Sequence, residues 1–152
     1  MNSKMKILLV EIISALFILL FVYAALSKLT DFQKFRIELG KSPLLNSYAG
    51  VIAVAIPGIE LLISSFIAIK RFQYYALYFG FSLMIIFSAY IVVILKFSPY
   101  VPCSCGGILQ NMTWHQHLIF NSVFVIMGAI AILLYTKNEQ DLIRDKEARL
   151  HP

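Results

Sequence analysis

Four long apolar runs decide what this chain can fold into: Ile7–Leu26, Tyr48–Ile69, Phe72–Leu95 and Leu118–Tyr135. A helix needs roughly 20 predominantly apolar residues to cross the hydrocarbon core of a bilayer. Each run is close to that length. The first two carry one charged residue each, Glu11 and Glu60, and the last two carry none. Of the 152 residues 60% are hydrophobic and 14% charged, with a mean hydropathy of +0.80, which places the chain in the membrane class rather than the soluble one. The runs use more than half the chain and leave no room for a separate soluble domain. The expectation is an all-α membrane protein: a four-transmembrane-helix bundle over residues 1–136, followed by a charged cytoplasmic tail at 137–152.

The basic start "MNSKMK" before an apolar stretch resembles a secretion signal. The stretch exceeds the roughly 7–15 residues of a cleaved signal core, so the first helix is expected to be retained. No nucleotide-binding glycine loop is present. The net charge of +5 is accounted for by basic residues at membrane edges, so lipid and not nucleic acid is the expected contact.

Basic residues favour cytoplasmic loops. Lys4, Lys6, Lys70, Arg71, Lys137, Arg144, Lys146 and Arg149 fall on one side of a four-span chain, eight in all. Lys28, Lys34, Arg36, Lys41 and Lys96, five in all, fall on the other. The bias puts both termini in the cytoplasm of a bacterial inner membrane, although the 28–41 loop opposes it. That loop mixes Phe32, Phe35, Ile37 and Leu39 with charges and has a helix-stopping Gly40. It predicts a short amphipathic periplasmic helix between the first and second spans. The tail "TKNEQDLIRDKEARLHP" reads as a helical extension or a frayed end, and His151 in it has no expected role.

The connection before the last run, "YVPCSCGGILQNMTWHQH", holds Cys103 and Cys105, which are the only cysteines, together with His115, His117 and Trp114, the only tryptophan. With the termini inside, this connection lies in the periplasm, where disulfides persist. A Cys-x-Cys disulfide is geometrically allowed but closes a small, strained ring. Strain makes such a bond easy to exchange. Pro99 and Pro102 stiffen the approach, and Gly106 and Gly107 let the backbone bend behind it. Three readings stay open: an exchange-active pair, a structural bridge, and a metal site completed by His115 and His117. The last has no standard zinc spacing, and the two histidines point to different sides if the helix begins before them. One of them can instead raise the local positive potential and favour a thiolate. Interfacial anchoring beside Trp114 is the plainer role for both.

In the second run Ala49, Ala53, Pro57, Glu60, Ser64 and Ala68 repeat at steps of three and four, which is one helical face. Small residues there allow close helix approach. Glu60 should therefore face the bundle, either protonated or hydrogen-bonded, as a functional candidate. The plainer role is a packing hydrogen bond to a Tyr or Ser of a neighbouring helix. Pro57 frees the carbonyl of Ala53 and can kink the helix. In the last run His117, Asn121 and Gly128 share a face, and Asn121 is expected to bond across to another helix. Glu11 is expected to reach the surface or bond locally. The third run is rich in aromatics, from Phe72 to Tyr90, which suit lipid-facing packing or the lining of a quinone or lipid pocket.

The segments "YAALSKLTDFQKF", "IPGIELLIS" and "PCSCGG", in that order, make the chain resemble the MauE branch of the DoxX-like membrane proteins over roughly residues 7–135. The matching elements are S-K-L-x-D-x-x-x-F, P-x-x-E-L and C-x-C-G-G. Many relatives read C-x-C-F-G, so Gly106 departs from the pattern without touching the thiols. The resemblance implies a four-helix inner-membrane protein. It marks Lys28, Asp31, Pro57, Glu60, Cys103 and Cys105. The family's namesake supports maturation of a disulfide-rich methylamine dehydrogenase, but methylamine itself is not carried over to this chain.

The functional expectation is a membrane thiol–disulfide redox protein. Cys103 and Cys105 would exchange electrons with a periplasmic thioredoxin-like protein or a disulfide-containing client, and Glu60 would serve the same site. Two cysteines cannot carry electrons across a bilayer, so a membrane carrier is required. Quinone is the natural candidate by architecture alone. The competing expectations are a non-enzymatic subunit or assembly factor of a larger membrane complex, and a metal-handling membrane protein.

Overall fold

The computed structural model describes residues 3–42, 45–97 and 113–150, the stretch 137–150 as backbone only. Five helices make up the described residues: α1 (Ser3–Thr30), α2 (Phe32–Lys41), α3 (Ala49–Ala68), α4 (Gln73–Phe97) and α5 (Trp114–Leu150). A single 3₁₀ turn, Asn46–Tyr48, leads into α3. Four of the helices are long and apolar enough to cross a membrane, over Lys4–Thr30, Asn46–Ala68, Gln73–Phe97 and Trp114–Thr136. The chain is thus a multi-pass membrane protein built as a four-helix bundle. Helix α5 continues without a break through the charged tail to Leu150.

Around the bundle the helices follow the cyclic order α1, α3, α4, α5, with α1 packed most extensively on α3. Leu19, Val51, Phe79, Ile86 and Leu133 are exposed on the outer faces. In a bilayer these side chains meet lipid, and only the inner faces are left to hold the helices together. The inner faces do so by close packing, the main force available between helices in hydrocarbon. Phe17 and Phe21 of α1 are buried at the centre, and Phe17 meets Phe124 edge to face with centroids 5.6 Å apart. Two glycines make room for these rings. A Cβ on Gly80 would lie 2.9 Å from Phe21, and one on Gly128 would lie 3.0 Å from Phe17.

The small-residue face of α3 is buried as its spacing predicts, from Ala49 through Ala53, Pro57 and Glu60 to Ser64. Its last member is not. Ala68 is exposed, and Ile67 closes the face instead, because α3 ends there and the packed face drifts by one position. Pro57 is fully buried within a helix that continues on both sides of it. Glu11 pairs with Lys70 of the α3–α4 turn rather than bonding locally. The short helix expected in the first connection is α2, and Phe35 and Leu39 form its buried face with Ala49 and Ala53 of α3. Ile37 is exposed, because it lies about 200° around the helix from Phe35 at 3.6 residues per turn. Glu38 takes a place on the buried face.

Candidate functional site: a largely apolar cavity at one end of the bundle

Helices α1 and α4 end, and α3 and α5 begin, at the end of the bundle that α2 covers. Between them lies a cavity of 460 Å³, within the roughly 300–1,000 Å³ usual for small-molecule sites. Most of its wall is apolar, with Phe21, Leu39, Ile56, Met84 and Phe87 among the contributors. The polar groups in the wall are Ser27 and Lys28 from α1, Glu38 from α2, Glu60 from α3, Tyr90 from α4, and Trp114, His117 and Asn121 from α5.

Lys28 sits in the last turn of α1 and Glu60 in the middle of α3. The Lys28 ammonium lies 2.7 Å from Glu60 Oε1 and 3.0 Å from Oε2. It also donates to the carbonyl of Ala24 at 3.3 Å. An ammonium has three hydrogens to donate, and Lys28 has three acceptor oxygens within reach. Only 11% of the Lys28 side chain and 9% of the Glu60 side chain are exposed. The partner of Glu60 is therefore a cation, not a neighbouring Tyr or Ser. The reason is physical: a carboxylate taken out of water needs a compensating charge more than a neutral hydrogen bond.

A second carboxyl group in the wall, Glu38, is 6% exposed and accepts a hydrogen bond from Lys41 at 2.7 Å, one helical turn on. Ser42, fully buried just after α2, shares a 3.0 Å hydrogen bond with the Tyr90 hydroxyl and ties the connection to α4. Glu38 was legible in principle. It lies at i+3 from Phe35 and beside Leu39, on the apolar side of the helix.

Helix α5 starts with a reciprocal cap. The Thr113 N–H donates to Gln116 Oε1 at 2.9 Å, and the Gln116 N–H donates to Thr113 Oγ1 at 3.3 Å. This cap fixes the start of the first turn. From there His117 faces inward and His115 outward to solvent, so the two rings do not converge on one point. His117 is 8% exposed and packs against Phe87, with ring centroids 5.5 Å apart, and against Trp114 at 6.2 Å. Asn121, one turn further, is 2% exposed. His117 Nδ1 and Asn121 Nδ2 are both buried and have no hydrogen-bond partner among the described residues. The expected bond from Asn121 Nδ2 across to another helix is therefore not made among the described residues. A buried polar group left unpaired costs about 1–3 kcal/mol.

Of the residues marked in the sequence, Lys28, Glu60, His117 and Asn121 come together in one wall. Pro57 lies on the same face of α3 but packs in the helix interface. Asp31 is exposed at the α1–α2 junction, where its carbonyl accepts the Phe35 N–H at 3.0 Å and its side chain makes no capping hydrogen bond. Cys103 and Cys105 lie outside the described residues. No group of three or more His, Cys, Asp or Glu side chains placed to hold a metal occurs among the described residues.

No curated protein and no solved structure matches the chain. A family model does, over residues 6–135, and its description is methylamine utilisation protein MauE. That match covers all four spans, the Lys28–Glu60 pair and the cysteine connection, and the chain belongs to the MauE family of membrane proteins.

Proposed function

We propose that this MauE-family protein is an inner-membrane thiol–disulfide redox protein with both termini in the cytoplasm. Cys103 and Cys105 are its exchanging pair, and a periplasmic thioredoxin-like protein or a disulfide-containing client is its partner. One thiolate attacks the partner's disulfide, a mixed disulfide forms, and the second cysteine resolves it. The burial of Lys28 supports this orientation. Its charge is spent inside the bundle on Glu60 and no longer counts as a loop charge on the periplasmic side.

The observation that carries the reading is where the cysteine connection joins the bundle. It leaves α4 after Phe97 and rejoins the described chain at Thr113, at the end that holds the cavity. A redox pair tethered there needs an electron carrier soluble in the membrane, and an apolar cavity with a few polar groups is the kind of site such a carrier uses.

The test is trapping in cells. With Cys103→Ser and Cys105→Ser made singly, one variant should accumulate a mixed disulfide with a periplasmic protein. If neither traps a partner and both lose their fold, the cysteine turn is a structural bridge and the chain is an assembly factor or subunit. A metal bound by the purified protein through these thiols would favour the metal-handling reading.

A further inference from the structure

We propose that the cavity binds the head of a neutral, chain-bearing quinone, held through Asn121 and His117. Two buried side-chain atoms of these residues have no hydrogen-bond partner among the described residues. Asn121 Nδ2 can only donate a hydrogen bond, so it calls for an acceptor oxygen. A histidine ring nitrogen donates in one tautomer and accepts in the other, so His117 Nδ1 can serve a carbonyl or a hydroxyl. The two residues are one helical turn apart on the same face, with roughly 5–6 Å between their Cβ atoms. Together they suit a head group that alternates between a carbonyl and a hydroxyl.

Charge argues against the anionic amphiphiles. The acidic and basic side chains in the wall are already paired, Lys28 with Glu60 and Glu38 with Lys41. An anionic fatty acid or phospholipid head would find no uncommitted cation there and would have to displace Glu60 from Lys28. A neutral head needs no such exchange. The apolar remainder of the wall, which includes Phe21, Leu83, Met84 and Phe87, suits a planar ring and the start of a hydrocarbon chain.

The redox role of this site rests on the thiol–disulfide function proposed above, whereas the binding does not. In that role the exchange balances. Oxidation of the Cys103 and Cys105 thiols breaks two S–H bonds and forms one S–S bond. The two electrons and two protons released convert the two quinone carbonyls to the two hydroxyls of the quinol. The reverse run reduces the disulfide at the expense of quinol.

Trp114 is the only tryptophan and lines the cavity, so its fluorescence reports occupancy directly. The full chain in nanodiscs of zwitterionic phospholipid is titrated with decylubiquinone, with decylbenzene and oleate as competitors. Saturable quenching is expected, displaced by neither competitor. Asn121→Leu and His117→Phe should each weaken it about tenfold, the equivalent of one lost hydrogen bond. Ala24→Leu takes up part of the cavity without changing either polar group and should weaken the quenching. Asn121→Leu should also keep or raise the unfolding midpoint without quinone, since it removes an unpaired buried donor.

Non-saturating quenching would overturn the proposal, as would quenching unchanged in all three variants. Equal displacement by decylbenzene or oleate would make the cavity a general lipid pocket. The variant with both cysteines changed to serine should bind as the native chain does. Saturable binding without any trapped partner in cells would sink the thiol–disulfide reading and leave the quinone site standing. A trapped partner without saturable quenching would do the opposite.

Discussion

Lys28 in the last turn of α1 lies within hydrogen-bonding distance of both carboxyl oxygens of Glu60, which stands in the middle of α3, and also donates to the carbonyl of Ala24. The pair joins the two helices that pack most extensively on each other. It also forms part of the wall of the cavity. Removing one member leaves the other charged and uncompensated inside the bundle. That loss costs about 3–5 kcal/mol for a buried pair, whereas replacing both members with apolar groups is often neutral. Glu60→Leu should therefore lower the unfolding midpoint sharply, and the double variant Lys28→Met/Glu60→Leu should recover most of the loss. Thermal unfolding in detergent checks both. A double variant no more stable than the single one would mean that the pair does not account for the cost.

Glu60→Gln separates packing from charge. It keeps the shape of the side chain and one acceptor oxygen for Lys28 but removes the negative charge. The variant should remain folded, with a smaller loss than Glu60→Leu, and should impair any redox turnover that moves protons through this wall. Full turnover in both Glu60 variants would reduce Glu60 to a packing residue.

Gly80 tests how the Phe21 ring of α1 seats against α4. The Cβ of Gly80→Ala would meet Phe21 at 2.9 Å, too close for a buried ring held by its neighbours. Overpacking of this kind costs about 1–3 kcal/mol. Adding Phe21→Leu, which removes the contacting ring, should relieve part of the cost, so the double-variant cycle should show coupling between the two positions. Strict additivity would mean that the ring moves aside freely.

Thr113 caps the start of α5, and its carbonyl accepts the His117 N–H. Thr113→Ala removes the side-chain half of the reciprocal cap, and such losses cost about 0.5–2 kcal/mol. Hydrogen exchange should quicken at the first turn of α5, including the His117 amide that donates to the Thr113 carbonyl at 2.9 Å, and should be unchanged near Gly128. Uniform acceleration along α5 would show that the cap is not a local device.

The orientation is checked by labelling. In intact spheroplasts, Cys103 and Cys105 should react, once reduced, with a thiol reagent that does not cross membranes. Labelling only after permeabilisation would reverse the topology and remove the basis for periplasmic exchange.

The sequence by itself determined the four spans, the short helix between the first two, and the inward face of Glu60. These follow from local rules. A run of about 20 apolar residues has one low-energy solution in a bilayer, and steps of three and four mark a helical face wherever the helix is placed. Glu38 was within reach of the same rule. The separate placement of His115 and His117 followed once the helix start was known, because residues two apart cannot share a face.

The partner of Glu60 needed the tertiary structure. Periodicity says which way a side chain points along its own helix but not which helix stands opposite, and the pairing of Glu60 with Lys28 spans 32 positions. The isolation of Asn121 needed it as well. A polar residue on an inward face is expected to find a partner, and only the assembled bundle places Asn121 at a cavity where Nδ2 has none among the described residues. That cavity belongs to no single segment. It exists because α2 covers the end of the bundle and because five helices contribute side chains that leave its centre unfilled.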